Sequence, residues 1–158
     1  MRVAFLGLVA GLTATPGHAA EPSSFGDWTA YCAEDAGCAL ATASADGHRL
    51  AFSEPNTGED RMVFIPIEPI RRGSTVTVTM DGLPGAELGP GDGWRMVEMP
   101  RNSAAQIAPS VAENELMLRM PSRTMIEISY TGESGRLHRA ELSLKGYSSA
   151  RAYVTSRQ

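Results

Sequence analysis

Apolar residues recur at every second position through most of this chain. That spacing restricts it to strands that bury one face and expose the other. The clearest case is Thr75-Val76-Thr77-Val78-Thr79-Met80, where Val76, Val78 and Met80 face a core and the threonines face out. Trp28, Ala30 and Cys32 alternate near the front. Cys38, Leu40 and Thr42 follow after a turn at 33–37, and Leu50 and Phe52 suit a third, short strand. Thr124, Ile126, Ile128 and Tyr130 run out, Gly132-Glu133-Ser134-Gly135 turns, and His138, Ala140, Leu142 and Leu144 run back as a long hairpin. Residues 62–67 are almost continuously apolar but contain Pro66. Proline cannot donate to a ladder, so this strand bulges there or ends at an edge.

The remaining segments are punctuated by turn and helix signals. Asp81-Gly82 starts a turn, and a Gly/Pro-rich loop runs to Gly93. Trp94 opens a further strand to Met99, and 100–109 reads as irregular. Ser110-Val111-Ala112-Glu113 has the pattern of a capping box, Ala112, Leu116 and Met120 follow at helical spacing, and Pro121 stops the run. Gly146 closes the last hairpin, and Ser148 is placed to cap a short terminal helix through Val154. These elements predict an all-β fold, a β-sandwich of about seven or eight mostly antiparallel strands with one or two short helices. No internal repeat is present.

Residues 1–20 have the organisation of a cleaved secretory signal. Arg2 supplies the charge, an apolar stretch follows to Leu12, Pro16 and Gly17 break it, and small residues place cleavage after Ala19 or Ala20. The apolar stretch is too short to span a bilayer, and no later stretch is apolar enough to do so. Residues 21–158 then form a single domain in the periplasm or outside the cell. The whole chain carries a formal charge of −4, and loss of the leader removes one arginine and no acid. Such a protein, without a Lys/Arg-rich run or a basic-aromatic platform, is not built for nucleic acid. In an oxidising compartment the two cysteines, Cys32 and Cys38, pair as a disulfide across the base of the first hairpin.

No catalytic set emerges. The C-x5-C spacing is not that of a redox pair, and a zinc site would have to recruit His48 and His138. No nucleophile elbow is present. His48, in Asp46-Gly47-His48-Arg49, reads as a solvated turn residue, and His138 as a packed strand histidine. Glu34-Asp35, Glu59-Asp60 and Glu113/Glu115 are carboxylate pairs, but the first two fall in turns and Glu113 in a helix cap. Gly89-Pro90-Gly91-Asp92-Gly93 lacks the lysine and following helix of a phosphate loop. Met96-x-x-Met99 and Met117-x-x-Met120 have the spacing of soft-sulfur copper(I) sites, though methionine also fills core gaps. Trp94 reads as a core anchor at a strand start, with a ligand platform as its alternative.

Two segments carry a family resemblance. The opening Phe25-Gly26-Asp27-Trp28-x-x-x-Cys32, with Cys38-Ala39-Leu40 beyond it, resembles that of the invasion-associated locus B proteins of alphaproteobacteria. The closing Ser143-Leu144-Lys145-Gly146-Tyr147-x-x-Ala150 is similar to theirs. Thr79-Met80-Asp81-Gly82 resembles their strand ending in Asp-Gly. Typical members carry a second cysteine pair after that turn, whereas residues 85–99 here hold none. A longer group of uncharacterised periplasmic proteins, the DUF1176 family, shares the opening. The resemblance implies an exported β-sandwich without family catalytic residues, with some members linked to host-cell entry.

The expectation is therefore a non-enzymatic envelope or secreted protein that binds an envelope or host macromolecule and needs no cofactor. The expected contact surface is the 82–93 loop with its neighbours: Leu83, Pro84, Leu88, Pro90, Asp92 and Trp94. The alternative is a periplasmic small-ligand or copper(I) carrier. Asp27-Trp28 is expected to be structural, with Trp28 in the core and Asp27 bonded to nearby backbone.

Overall fold

The computed structural model describes residues 21–33, 37–54, 61–98 and 103–157, without the side chains of Glu54 and Glu113. The signal segment, Glu34-Asp35, Glu59-Asp60, Met99 and the capping role of Glu113 lie outside that description. Eleven strands are described. They are β1 (Ser23–Phe25), β2 (Trp28–Ala33), β3 (Gly37–Ala43), β4 (Arg49–Glu54), β5 (Arg61–Ile65), β6 (Val76–Met80), β7 (Leu83–Leu88), β8 (Trp94–Glu98), β9 (Ser103–Ile107), β10 (Met125–Thr131) and β11 (Leu137–Ser143). They form a seven-stranded sheet in the order β1-β2-β3-β4-β5-β9-β8 and a four-stranded sheet in the order β11-β10-β6-β7. All the strand pairs are antiparallel. The arrangement is the expected sandwich, with more strands than the sequence announces.

The period-two pattern translates directly into burial. Val76, Val78 and Met80 are each at most 1% exposed, while Thr77 and Thr79 point away from the core. Trp28, Leu40, Leu50, Phe52 and Phe64 line the inner face of the large sheet, and Ile126, Ile128, Ala140 and Leu142 that of the small one. Each such large side chain contributes about 1.5–3 kcal/mol on leaving water. Cys32 and Cys38 are directly opposed across β2 and β3 and form the expected disulfide, with their Cα atoms 3.9 Å apart. β5 stops at Ile65, so the missing donor of Pro66 falls outside the ladder, but β5 is an interior strand between β4 and β9 rather than the bulged or edge strand expected.

Four further local expectations are corrected. Half of the 82–93 loop is strand β7, which pairs with β6 through a bulge between Val78 and Thr79. Pro84 is tolerated because β7 is the edge of its sheet. Gly85 is required because a Cβ there would sit 2.8 Å from the Val78 carbonyl oxygen. The irregular stretch 100–109 contains β9, a strand paired on both sides, with β5 and β8. Its run Ser103-Ala104-Ala105-Gln106-Ile107 is buried on both faces from Ala104 onward, so it shows no alternation.

The other two corrections concern helices. Ser110 is not a cap. The helix α1 (Pro109–Val111) starts from Ala108 with Pro109 in its first turn and no side-chain cap bond. It passes into a π-wound turn, Ala112–Met117, and a 3-10 turn, Met120–Ser122. Ala112, Leu116 and Met120 are still the buried positions. Ser148 is likewise not a cap: α2 (Tyr147–Thr155) follows Gly146 directly, with no side-chain cap bond. Tyr147, Ala150 and Val154 form the buried stripe of α2, which packs on β1, β2 and β3.

The two end segments meet in space. Asp27 N–H donates to the Lys145 carbonyl at 3.0 Å, and Trp28 Nε1–H donates to the Ser143 carbonyl at 3.0 Å. The Trp28 ring packs edge-on against Tyr147 at 5.1 Å, and Phe25 against Tyr153 at 5.1 Å. Trp28 is fully buried, and both backbone polar groups of Asp27 are bonded, its carbonyl accepting from Thr42 Oγ1 at 2.8 Å.

Candidate functional site: a closed histidine network and an open groove

His48 is the largest departure from the sequence reading. The turn before β4 is set by Ser44 N–H donating to the His48 carbonyl and by Gly47 at φ +100°. It directs the imidazole inward, where His48 is 0% exposed rather than solvated. Its Nδ1 lies 2.9 Å from Asp46 Oδ1 and its Nε2 lies 3.1 Å from the Tyr130 hydroxyl. Its ring stacks on Phe64 of β5 with planes 8° apart. His48 belongs to the large sheet and Tyr130 to the small one, so this bond crosses the sandwich.

The network continues along the small sheet. The His138 ring stacks on Tyr130 at 5.0 Å, and its Nε2 lies 2.7 Å from Glu68 Oε2. The other Glu68 oxygen accepts the Ser134 N–H at 2.6 Å. Gly132 makes this possible, because a Cβ there would sit 2.5 Å from the Glu68 carboxyl carbon. The Ser134 backbone N–H, its hydroxyl and His138 hold the Glu68 carboxyl down at about 2. The Ser44 hydroxyl and then His48 lower Asp46, and burial pushes the Tyr130 phenol up to about 12.

Carboxylate, imidazole and phenol in a chain have the connectivity of a proton relay. Its phenol end is buried, while the Asp46 and Glu68 carboxylates reach the surface. Tyr130 is 1% exposed, and neither described cavity is lined by His48, Tyr130 or His138. The His48–Tyr130 bond links the two sheets by a polar contact within the core. Asp46, His48, Glu68 and His138 do not converge on one point, and among the described residues no cluster of three or more His, Cys, Asp or Glu is arranged to hold a metal ion.

The stretch expected to form a contact surface divides. Leu88 is fully buried and Trp94 is 3% exposed, its indole N–H directed to the Ser74 carbonyl at 3.3 Å, so these two are core residues. Leu83, Pro84, Pro90 and Asp92 stay at the surface. Arg119 bonds the carbonyls of Pro84 and Gly85, which fastens the start of β7 to the turn after the π winding. Met120 is fully buried and Met117 is 9% exposed, which makes them chiefly core residues. Met96 is partly buried against the core.

What lies open is a groove of about 890 Å³ between the π-wound turn and α2. Met117, Leu118 and Pro121 form one wall, and Tyr147, Arg151 and Ala152 the other. Leu118 at its rim is 75% exposed, the most exposed large apolar side chain among the described residues. The sequence signal for this site was faint: Leu118 falls off the Ala112-Leu116-Met120 stripe, and position alone does not reveal a facing helix.

No protein-family model and no curated protein matches the chain. Among solved structures, its fold is similar to the crystal structure of invasion associated protein B from Bartonella henselae. The two superpose with a TM-score of 0.66 at 12% identity, over 88% of this chain and 99% of that one.

Proposed function

We propose that this chain is an exported, non-enzymatic binding module whose groove between the π-wound turn and α2 receives an apolar segment of a protein partner in the envelope or on a host cell. The observation that carries this reading is the groove itself, with Leu118 projecting at its rim. A mostly apolar cleft with an exposed aliphatic edge matches protein side chains better than a glycan. Leu83 and Pro84 are also exposed at the start of β7, where Arg119, next to Leu118, bonds the Pro84 carbonyl. The Cys32–Cys38 disulfide supports an oxidising compartment, and no described helix is long and apolar enough to cross a membrane. The Bartonella henselae protein is named as invasion associated, and its shared fold extends the reading to host-cell entry.

The test is in-cell photo-crosslinking from position 118, with mass spectrometry of the captured species. One dominant protein adduct is expected, and Ala152→Arg, which fills the groove from an exposed helix position, abolishes it. Adducts spread over many proteins and indifferent to Ala152→Arg would overturn the assignment.

A second reading rests on Met117 in the groove wall. A volume of this size also suits a small apolar ligand. For copper(I), Met120 would have to leave the core. Equal copper(I) affinity of the parent and the Met117→Leu/Met120→Leu variant would end that version.

A further inference from the structure

A further cavity among the described residues lies far from the groove in strand order, at the β8 edge of the large sheet. It measures about 260 Å³ and is lined by Arg61, Arg95, Gln106 and the segment from Ile107 to Pro109, with Gly91 and Trp94. Strand register explains why two arginines line it. Arg95 on β8 is paired directly with Gln106 on β9, and Gln106 directly with Val63 on β5. Arg61 is two residues from Val63, so all four side chains leave the same outer face. Across two strand spacings and two residues, the Cα atoms of Arg61 and Arg95 are roughly 12 Å apart, and Gln106 lies between them.

Gln106 does more than fill space. It is 8% exposed, and its Oε1 accepts from both Nε and Nη2 of Arg95, at 3.1 and 2.8 Å. One edge of the guanidinium is thereby fixed, and Arg95 lines the cavity. The fixing group is a neutral amide, so it orients Arg95 without cancelling its charge. Among the described residues Arg95 makes no ion pair.

The described strands give the two outer faces different charge. The outer face of the large sheet carries Arg49, Arg61 and Arg95, and the register places no described carboxylate side chain on it. The outer face of the small sheet instead carries Glu87, Glu127 and Glu141 with Arg139. The chain as a whole is acidic, at −4. The face that holds the cavity is therefore locally basic by register, a distribution that favours an anion.

We infer that the Arg61–Arg95–Gln106 cavity is a binding site for a compact oxyanion, a phosphate or sulfate group, with Gln106 presenting the Arg95 guanidinium to it. The anion is either free or the ester of a larger molecule, and both sources share this recognition chemistry.

The experiment is amide and arginine Nε NMR of the mature chain in sulfate- and phosphate-free buffer. It is titrated with inorganic phosphate, with glucose 6-phosphate and with glucose. The expected result is saturable shifts confined to Arg95, Gln106 and their neighbours, weakened by added sodium chloride and absent with glucose. Arg95→Gln and Gln106→Glu each weaken binding at least tenfold while the rest of the spectrum stays in place. The second variant is the discriminating one: a carboxylate strengthens the hold on Arg95 but neutralises it, so a purely structural pair would be unharmed. Tighter binding of the sugar phosphate assigns an ester ligand, and equal binding assigns the free anion. Shifts absent from this cavity, equal with glucose, or unchanged by Gln106→Glu would overturn the inference.

Discussion

Gly26 packs its α-carbon against the Lys145 carbonyl so closely that a Cβ would lie 2.6 Å from that oxygen. The contact is reciprocal, because a Cβ on Gly146 would collide with the Phe25 carbonyl. Both glycines hold positive φ, +58° and +92°. The front and back of the chain thus interlock backbone to backbone, with Trp28 set edge-on against Tyr147. Gly26→Ala and Gly146→Ala are each expected to lose about 1–3 kcal/mol from the backbone conformation alone, with the clash adding to it. Urea denaturation checks this. A midpoint unchanged in either variant would show that the ends are not locked in this way.

The His48–Tyr130 bond crosses the sandwich with both side chains out of water. Tyr130→Phe keeps the ring and its stacking on His138 but strands His48 Nε2 in the core. The expected cost is about 1–3 kcal/mol, the penalty for a buried polar group without its partner. A double-mutant cycle with His48→Phe should then recover part of that loss, since the orphaned nitrogen is gone. Strict additivity of the two changes would rule out the coupling.

Stability should fall at both ends of the pH range for identifiable reasons. Glu68 is lowered from 4.5 to about 2, so its contribution is complete above the unfolded value of 4.5 and is lost as pH falls toward 2. Tyr130 is raised from 10.0 to about 12, so the folded state favours the neutral phenol. Its contribution is complete below 10.0 and is lost as pH climbs toward 12. Denaturation midpoints followed from pH 2 to 6 should show an acid limb that flattens in Glu68→Gln. An acid limb identical in that variant would move its origin elsewhere, with Asp46 and Asp81, both lowered, as the next candidates.

Reducing the Cys32–Cys38 bond opens only a short loop. Chain entropy puts the loss at about 2 kcal/mol. The reduced protein should keep its β-rich circular dichroism and melt several degrees lower. Complete unfolding on reduction would mean that the staple, not the core, holds the hairpin.

Much of the sandwich was readable from alternation. The strands around Trp28, Leu40, Phe52, Val78, Ile128 and Leu142 stand where their period places them, and the facing cysteines are bonded. β9 was not readable, because alanines buried on both faces leave no period. β7 was hidden by Pro84 and Gly85, which only an edge position and a close approach to Val78 make tolerable. Leu88 and Trp94 stood in the expected contact surface, yet both fill the core, Trp94 as the anchor that its place at a strand start suggests.

The sequence by itself determined which side of each regular strand turns inward and which two cysteines pair, because both depend on neighbours a few residues apart. Tertiary structure alone decided what covers each side. It buried His48 beneath Tyr130, set Arg61 beside Arg95 across a strand that shows no pattern, and left Leu118 in the open. Those outcomes depend on which distant segments stack, and periodicity carries the direction of a side chain without naming what it will meet.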